Sequence, residues 1–274
     1  MTKYYNKEDM DLSYWILLVV SLLACSIGFL KYLWFISVGY GLSISAIGVA
    51  LAIGFHDIMG LPEWLSCVVL FLYGLRLSGY LLIREIKSAG YRKVLNPELE
   101  RSKHIPFFVK LALWISCGLL YTLMTIPVYF RLLNNAPADT MLWVGIVVTV
   151  LGLTLETTAD LQKTAAKKKN SHRFVDTGLY RFVRCPNYLG ELLIWLGVFL
   201  SGTTVLQGVW QWILSILGLL LIVWIMFSGA RRLEIRQDRN YGKDPEYQKY
   251  VTTVPILIPF IPLYSVKKHK FLVA

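Results

Sequence analysis

Apolar and polar positions follow one another along this chain in long blocks. Seven apolar runs stand out, at 12–30, 33–54, 61–83, 107–130, 141–161, 188–203 and 209–228. A helix needs about 20 residues to cross the hydrocarbon core of a bilayer, and backbone groups there must bond within their own segment. A series of such runs predicts an all-α polytopic membrane bundle of about seven transmembrane helices. The sixth run is short and interrupted by glycine, so its limits are the least sharply drawn. Residues 1–11 are polar with mixed charge and lack the basic region and small-residue cleavage site of a secretory signal. The first apolar run is therefore expected to stay in place as a span.

The polar blocks give the bundle a direction. Three connections are basic: 84–104, 162–187 and the tail after Gly229. The connections at 55–60, 131–140 and 201–208 carry almost no positive charge. Counted alternately, the basic segments fall on one side together with Lys31. The positive-inside rule makes that side cytosolic, with the N-terminus outside and the C-terminus inside. The basic connections are also the long ones, and long polar segments with turn residues and apolar anchors are where function concentrates. The chain reads as a single integral membrane domain over 1–274. Residues 1–130 hold the first four spans, and 131–274 hold the other three with the long basic segments.

Composition agrees. Hydrophobic residues make up 56% of the chain and charged residues 16%, against about 25% charged in soluble domains. The net charge of +11 could suit nucleic acid. Interleaved with membrane spans, it points instead to basic cytosolic loops or an anionic ligand held among them, and no nucleic-acid partner is expected. Cys25, Cys67, Cys117 and Cys185 are far apart and form no CxxC or Cys/His cluster, so neither disulfides nor a metal site are expected. There is no GxGxxG after a strand, no P-loop, no HExxH and no GxSxG.

The chemistry-bearing residues gather in 160–197, DLQKTAAKKKNSHRFVDTGLYRFVRCPNYLGELLIWLG. Asp160 closes the fifth span. Cations follow (Lys163, Lys167, Lys168, Lys169, Arg173), then a turn at Gly178 and an aromatic–arginine alternation of Tyr180, Arg181, Phe182 and Arg184. Pro186 can open the sixth helix. Asn187 and Glu191 then lie four apart on one face of it, with Tyr188 beside them. Arg and Lys suit phosphate groups, Arg with paired bonds, while Asn with Glu offers donors and acceptors to a carboxamide. Lys167–Lys169 could equally do no more than orient the chain, and Asn187 could merely cap a helix. An acid within a span is costly and usually functional. In the tail, Arg231, Arg236 and Arg239 could fold over the same anion or anchor at the membrane surface. Within the third span Tyr73 and Arg76 are three apart. Arg76 demands a partner, from Asp57, Glu63, Glu156, Asp160 or a bound anion, unless it only fixes helix register.

At this point the residues resemble a known family. RFVRCPNYLGELLIWLG resembles the signature of membrane enzymes related to the C-terminal domain of 3-oxo-5-alpha-steroid 4-dehydrogenases. DIMGL, YGLRLSGYLLIRE, FSGARRLE and EYQKYVTTVPILIP resemble that family's other landmarks in the same order. The chain is most similar to an uncharacterised bacterial branch of the superfamily, which also holds sterol reductases and isoprenylcysteine methyltransferases. The resemblance implies seven spans in a bacterial inner membrane, a cytosolic NADPH site, and hydride transfer to the C=C bond of a lipophilic enone, steroid-like or isoprenoid, arriving from the bilayer. It implies that Asn187 and Glu191 hold the nicotinamide end, and that Asp160, Arg173, Arg181, Arg236 and Tyr247 line the rest of the cofactor site. Arg76, Lys163, Tyr180, Arg184 and Tyr188 join that cofactor set. Tyr73 would polarise the substrate carbonyl, assisted by Asp57 or Glu63.

Two departures matter. Cys185 stands where many relatives have His, and Met59 stands where the bacterial branch has Trp. The alternative activity, methyl transfer from S-adenosylmethionine to a lipid or prenyl-cysteine, is expected to need that His. A non-catalytic scaffold or transporter is a third reading. Against it, the polar residues collect at one mouth and no inverted repeat is visible.

Overall fold

The computed structural model describes residues 13–273. The polar N-terminal stretch 1–11 and the first residue of the first apolar run lie outside the described residues. Every regular element among the described residues is helical. In chain order they are α1 (Tyr14–Cys25), α2 (Val38–Gly54), α3 (Leu61–Lys87), α4 (Ala89–Lys103), α5 (Phe107–Leu133), α6 (Thr140–Lys169), α7 (Pro186–Gly202), α8 (Gly208–Tyr241) and α9 (Pro245–Thr253). Three short 3-10 turns, at Ser26–Phe29, Tyr32–Ile36 and Gly178–Arg181, complete the set.

Four helices, α3, α5, α6 and α8, are long and apolar enough to cross a membrane, which points to a multi-pass membrane protein. Their outward faces carry exposed Leu75, Ile115, Val147, Leu151 and Leu220. Such faces would be a liability in water and are ordinary in lipid. At 34 residues, α8 is about 51 Å long at 1.5 Å per residue. A hydrocarbon core is about 30 Å thick, so the charged stretch after Gly229 extends beyond it.

The first apolar run is not one helix. It stops at Cys25 and passes through the 3-10 turns. At Gly28 a Cβ would lie 2.1 Å from the Phe35 ring, and this tight reversal ends the span early. The basic connection at 84–104 is not a loop but mostly α4. Helices also outrun their apolar segments: α6 continues through Asp160 to Lys169, and α8 through Arg231 to Tyr241. Once a helix is nucleated in lipid, adding each further polar residue needs only one more backbone bond.

The chain folds as two compact units. The first runs to Ile146 and includes Val198–Gly218; the second comprises Val147–Gly197 and Leu219 onward. In the first unit, α2 and α3 cross in backbone contact. A Cβ on Gly74 would lie 2.1 Å from the Gly41 carbonyl oxygen, and one on Gly41 would lie 2.4 Å from that of Gly74. Small residues let helices approach closely where no hydrophobic force drives them together. Serine hydroxyls fasten the crossing: Ser78 donates to the Val38 carbonyl at 2.9 Å and Ser45 to that of Phe71 at 2.8 Å. Ser43 reaches the Ser21 carbonyl on α1 at 3.0 Å.

Arg131, 2% exposed, ties the end of α5 to the surrounding loops. It donates to the carbonyls of Ser201 (2.6 Å) and Pro137 (3.1 Å), to Thr204 (3.0 Å) and to Asp139 (2.8 Å). Asp139 also accepts from the Leu142 amide at 2.8 Å, capping α6. Partial burial alone would raise the Asp139 carboxyl. The bonds from Thr204, Arg131 and Leu142 outweigh it and hold the group at about 2.

Candidate functional site

The second unit is built on the crossing of α6 and α7. A Cβ on Gly152 would lie 2.6 Å from the Gly190 carbonyl oxygen, and one on Gly190 would lie 2.7 Å from the Glu156 backbone nitrogen. The two backbones therefore touch, and Thr149 donates to the Ile194 carbonyl at 3.4 Å beside them. This packing draws acids into the interior. Glu156, Asp160 and Glu191 are 5%, 7% and 4% exposed. Glu191 accepts a hydrogen bond from the Trp195 indole at 3.1 Å, one turn further along α7, which fixes its carboxylate.

Asn187 sits one turn before Glu191, just inside the start of α7. Its Oδ1 is buried and has no hydrogen-bond partner among the described residues. A buried carbonyl oxygen left without a donor costs free energy, so this atom is an acceptor available to a ligand's N–H. Directly before it, Arg184 and Cys185 are locked to the tail. Their amides donate to the carbonyls of Pro255 and Ile256, both at 2.9 Å. The Arg184 guanidinium pairs with Glu234 at 3.2 Å, with 1% and 4% of the two side chains exposed, and also donates to the Tyr264 carbonyl. Glu234 accepts from the Val266 amide at 3.0 Å. Around this clasp Cys185, Ala230, Leu233, Ile256, Leu257, Val266 and Leu272 form one apolar cluster, with Tyr188 packed against it. Burial pushes the Cys185 thiol up to about 11, so it stays a neutral thiol near neutral pH.

A second cluster shapes the outer part of the unit. Phe174 stacks on Tyr250 at 5.3 Å and packs edge-on against Tyr247 at 5.3 Å. The Tyr247 hydroxyl donates to Asp238 at 2.9 Å, and that of Tyr250 to the Tyr180 carbonyl at 2.7 Å. Burial, then the Asp238 carboxylate, pushes Tyr247 well above the ordinary tyrosine value. Tyr180 is itself buried and donates to the Ala159 carbonyl at 3.3 Å. Lys167 reaches the Tyr241 hydroxyl at 2.9 Å and the Ser171 carbonyl at 3.2 Å.

The sequence-predicted site residues thus divide by what they touch. Asp160, Asn187, Tyr188 and Glu191 gather at the α6–α7 crossing or around the start of α7, and Lys163 lies three residues beyond Asp160 on the same helix. Arg173 is exposed, and its guanidinium is engaged by Asp176 at 2.8 Å and Glu246 at 2.5 Å. Arg184 and Tyr247 hold the fold through Glu234 and Asp238. Arg181 and Arg236 are exposed, and among the described residues neither has such a carboxylate clasp. Among the described residues no group of three or more His, Cys, Asp or Glu is arranged to hold a metal ion.

In the first unit, Tyr73 is fully buried and Arg76 partly buried on α3. Neither expected helper stands beside Tyr73. Glu63 caps α3 by accepting from the Gly60 amide at 3.1 Å, ten residues and thus about 15 Å of helix before Tyr73. Asp57 is exposed, with His56 at 3.2 Å. Tyr40 on α2 does stand there, accepting a hydrogen bond from the Tyr73 hydroxyl at 2.8 Å. Sequence reasoning missed Tyr40. The signal was the recurrence of Tyr-Gly at 40–41 and 73–74, since the two glycines are the crossing point of α2 and α3.

Similarity to known proteins covers most of the chain. One relative, an uncharacterized protein of Schizosaccharomyces pombe, is 28% identical over 160 residues, covering 50% of this chain and 45% of its own length. The chain therefore matches about half of that relative's length or less. No solved structure matches. The family described as "protein of unknown function (DUF1295)" matches residues 28–254, and the chain belongs to that family.

Proposed function

We propose that this protein is an NADPH-dependent membrane reductase acting on the C=C bond of a lipophilic enone, steroid-like or isoprenoid. The observation that carries the reading is the start of α7: a buried, unpartnered Asn187 Oδ1 one turn from a buried Glu191 fixed by Trp195. A carboxamide such as that of nicotinamide offers N–H donors to both and accepts from the Asn187 side-chain N–H2. The resemblance of RFVRCPNYLGELLIWLG to the steroid-reductase signature supports the same assignment.

The rest of unit two suits a large anionic ligand with one refinement. Arg173 and Arg184 are engaged by carboxylates, so recognition of phosphate groups falls to Arg181 and Arg236. Bound there, NADPH supplies a hydride to the β-carbon of the enone. In the first unit Tyr73 donates a hydrogen bond to the substrate's carbonyl oxygen, where the electron pair of the broken C=C bond collects. Water then protonates the α-carbon. The buried neutral thiol at Cys185 leaves that position without a base, which argues against methyl transfer.

This reading places all seven apolar runs in the membrane, with the N-terminus outside and the basic, tail-covered side in the cytosol. NADPH would enter from that side and the substrate from the bilayer. Heating the purified protein with NADPH, NADH or S-adenosylmethionine tests the cofactor directly. A ligand at 100 times its dissociation constant stabilises the fold by about 2.7 kcal/mol. The expected result is a raised Tm with NADPH; a rise with S-adenosylmethionine and none with NADPH would falsify the reading.

A further inference from the structure

Residues 266–273 run back along α8. The Val266 amide donates to Glu234 at 3.0 Å, and the Arg231 guanidinium donates to the carbonyls of Lys267 (3.0 Å) and Leu272 (3.2 Å). Nearer the apolar part of the helix, the Val273 amide donates to the Ser228 hydroxyl at 3.2 Å and the Trp224 indole to the Phe271 carbonyl at 3.3 Å. Glu234 and Trp224 are ten residues apart, about 15 Å of helix. The segment thus starts at the charged end of α8 and finishes against its apolar part. Two short turns lie within it, the His269 amide on the Val266 carbonyl and the Leu272 amide on the His269 carbonyl, both at 3.1 Å. Val266 and Leu272 point into the apolar cluster around Cys185, while Lys267, Lys268, His269, Lys270 and Phe271 stay outside. Phe271 is 71% exposed.

We infer that this segment is an interfacial anchor, which seats Phe271 in the bilayer and binds the phosphate of an anionic lipid through Lys268 and Lys270. Its depth follows from α8. About 20 helical residues cross the hydrocarbon core, and counted from Gly208 they end near Ser228. Trp224 and Ser228 therefore mark the rim of the core, the level at which tryptophan collects. Leu220 and Trp224, four apart and both exposed, turn one face of α8 outward, and Phe271 extends that face. Charge supplies the second argument. Lys267 is paired with Asp238, and Glu234 is taken by Arg184. Among the described residues no carboxylate pairs with Lys268 or Lys270. Lysine stems lie along an apolar rim while their ammonium groups reach the phosphates. An aromatic at the acyl boundary with cations at the headgroups is how a surface segment holds an anionic bilayer. The effect reaches inward, because the same stretch of chain gives the Tyr264 carbonyl to Arg184 and the Val266 amide to Glu234. A lipid bound to the folded segment stabilises that clasp by mass action.

The test places the purified protein in bilayer discs of phosphatidylcholine, with and without phosphatidylglycerol. The four native cysteines are buried, so Phe271→Cys takes a fluorescent label at that position alone. Brominated lipid is expected to quench the label, and phosphatidylglycerol to raise the Tm of the wild-type protein. Lys268→Gln/Lys270→Gln is expected to lose the rise. Lys243→Gln/Lys249→Gln removes the same charge from exposed positions beyond the end of α8 and is expected to keep it. An unquenched label overturns the anchor and leaves the patch to a protein partner. No rise with phosphatidylglycerol, or a rise that survives in Lys268→Gln/Lys270→Gln, overturns the phosphate site. An equal rise from inorganic phosphate added to phosphatidylcholine discs overturns a lipid as the source of the anion.

Discussion

Arg184 and Glu191 are both nearly inaccessible to solvent, at 2% and 4% exposure, yet their surroundings differ. Arg184 is spent on Glu234 and the Tyr264 carbonyl, so it fastens the tail. Removing one partner of a buried pair leaves an uncompensated charge and costs about 3–5 kcal/mol. Arg184→Met is therefore expected to lower Tm sharply, and the double variant Arg184→Met/Glu234→Leu to recover much of the loss. Arg173, exposed between Asp176 and Glu246, is expected to cost less than about 1 kcal/mol when replaced by Met. Glu191 accepts from the neutral Trp195 indole, and Asn187 Oδ1 has no hydrogen-bond partner among the described residues. Glu191→Gln and Asn187→Ala are expected to fold with nearly the wild-type Tm while losing the rise in Tm with NADPH; retention of the rise in both would remove them from the cofactor site.

Asp139 gives a pH dependence with a definite sign. Its carboxyl lies at about 2 in the folded protein against an ordinary value of 3.8. A depressed carboxylate contributes stability that is fully present above the unfolded value and lost as pH falls through the folded one. Wild-type Tm is expected to fall between about pH 4 and pH 2 more steeply than that of Asp139→Asn, in which the contribution is already missing at neutral pH. Chemical denaturation across that range checks it. At this scale helical spacing put Asn187 and Glu191 on one face in advance, and the structure has them one turn apart on α7 with Glu191 buried. It could not announce that Arg184 and Arg173 are tied up, because their partners Glu234 and Glu246 lie 50 and 73 residues away.

At the scale of elements, two glycine crossings set the chemistry. Gly152 with Gly190 draws Glu156 against α7, and Gly41 with Gly74 brings Tyr40 to Tyr73. Neither glycine pair has room for a side chain, since each added Cβ would meet backbone atoms, which cannot swing aside, at 2.1 to 2.7 Å. Gly190→Val is expected to abolish the rise in Tm with NADPH and to destabilise the protein, whereas Gly79→Ala on α3, where a Cβ meets nothing within 4 Å, is expected to be silent. Apolar runs made α3, α5, α6 and α8 legible in advance, because crossing a bilayer demands a long uninterrupted run. The early end of α1 and the helix α4 were not legible. The first depends on Phe35 filling the space above Gly28, and the second is a polar helix in which no apolar stripe stands out.

For the whole molecule, the tail carries the most weight for its length. Residues after Val254 supply the carbonyls that accept from Arg184 and Cys185, the Val266 amide bound to Glu234, and half of the apolar cluster around Cys185. Ending the chain at Val254 is expected to expose Arg184 and Glu234, lower Tm strongly and remove NADPH binding together with it. The central claim is that a hydride passes from NADPH to a lipid-borne enone. The most direct measurement incubates purified protein in lipid with NADPH deuterated at C4 and a 3-oxo-Δ4-steroid or isoprenoid enone, and locates the label by mass spectrometry and NMR. The account predicts a saturated ketone carrying deuterium at the β-carbon and solvent hydrogen at the α-carbon. Recovery of unreduced enones with the deuterium still on the cofactor would contradict it.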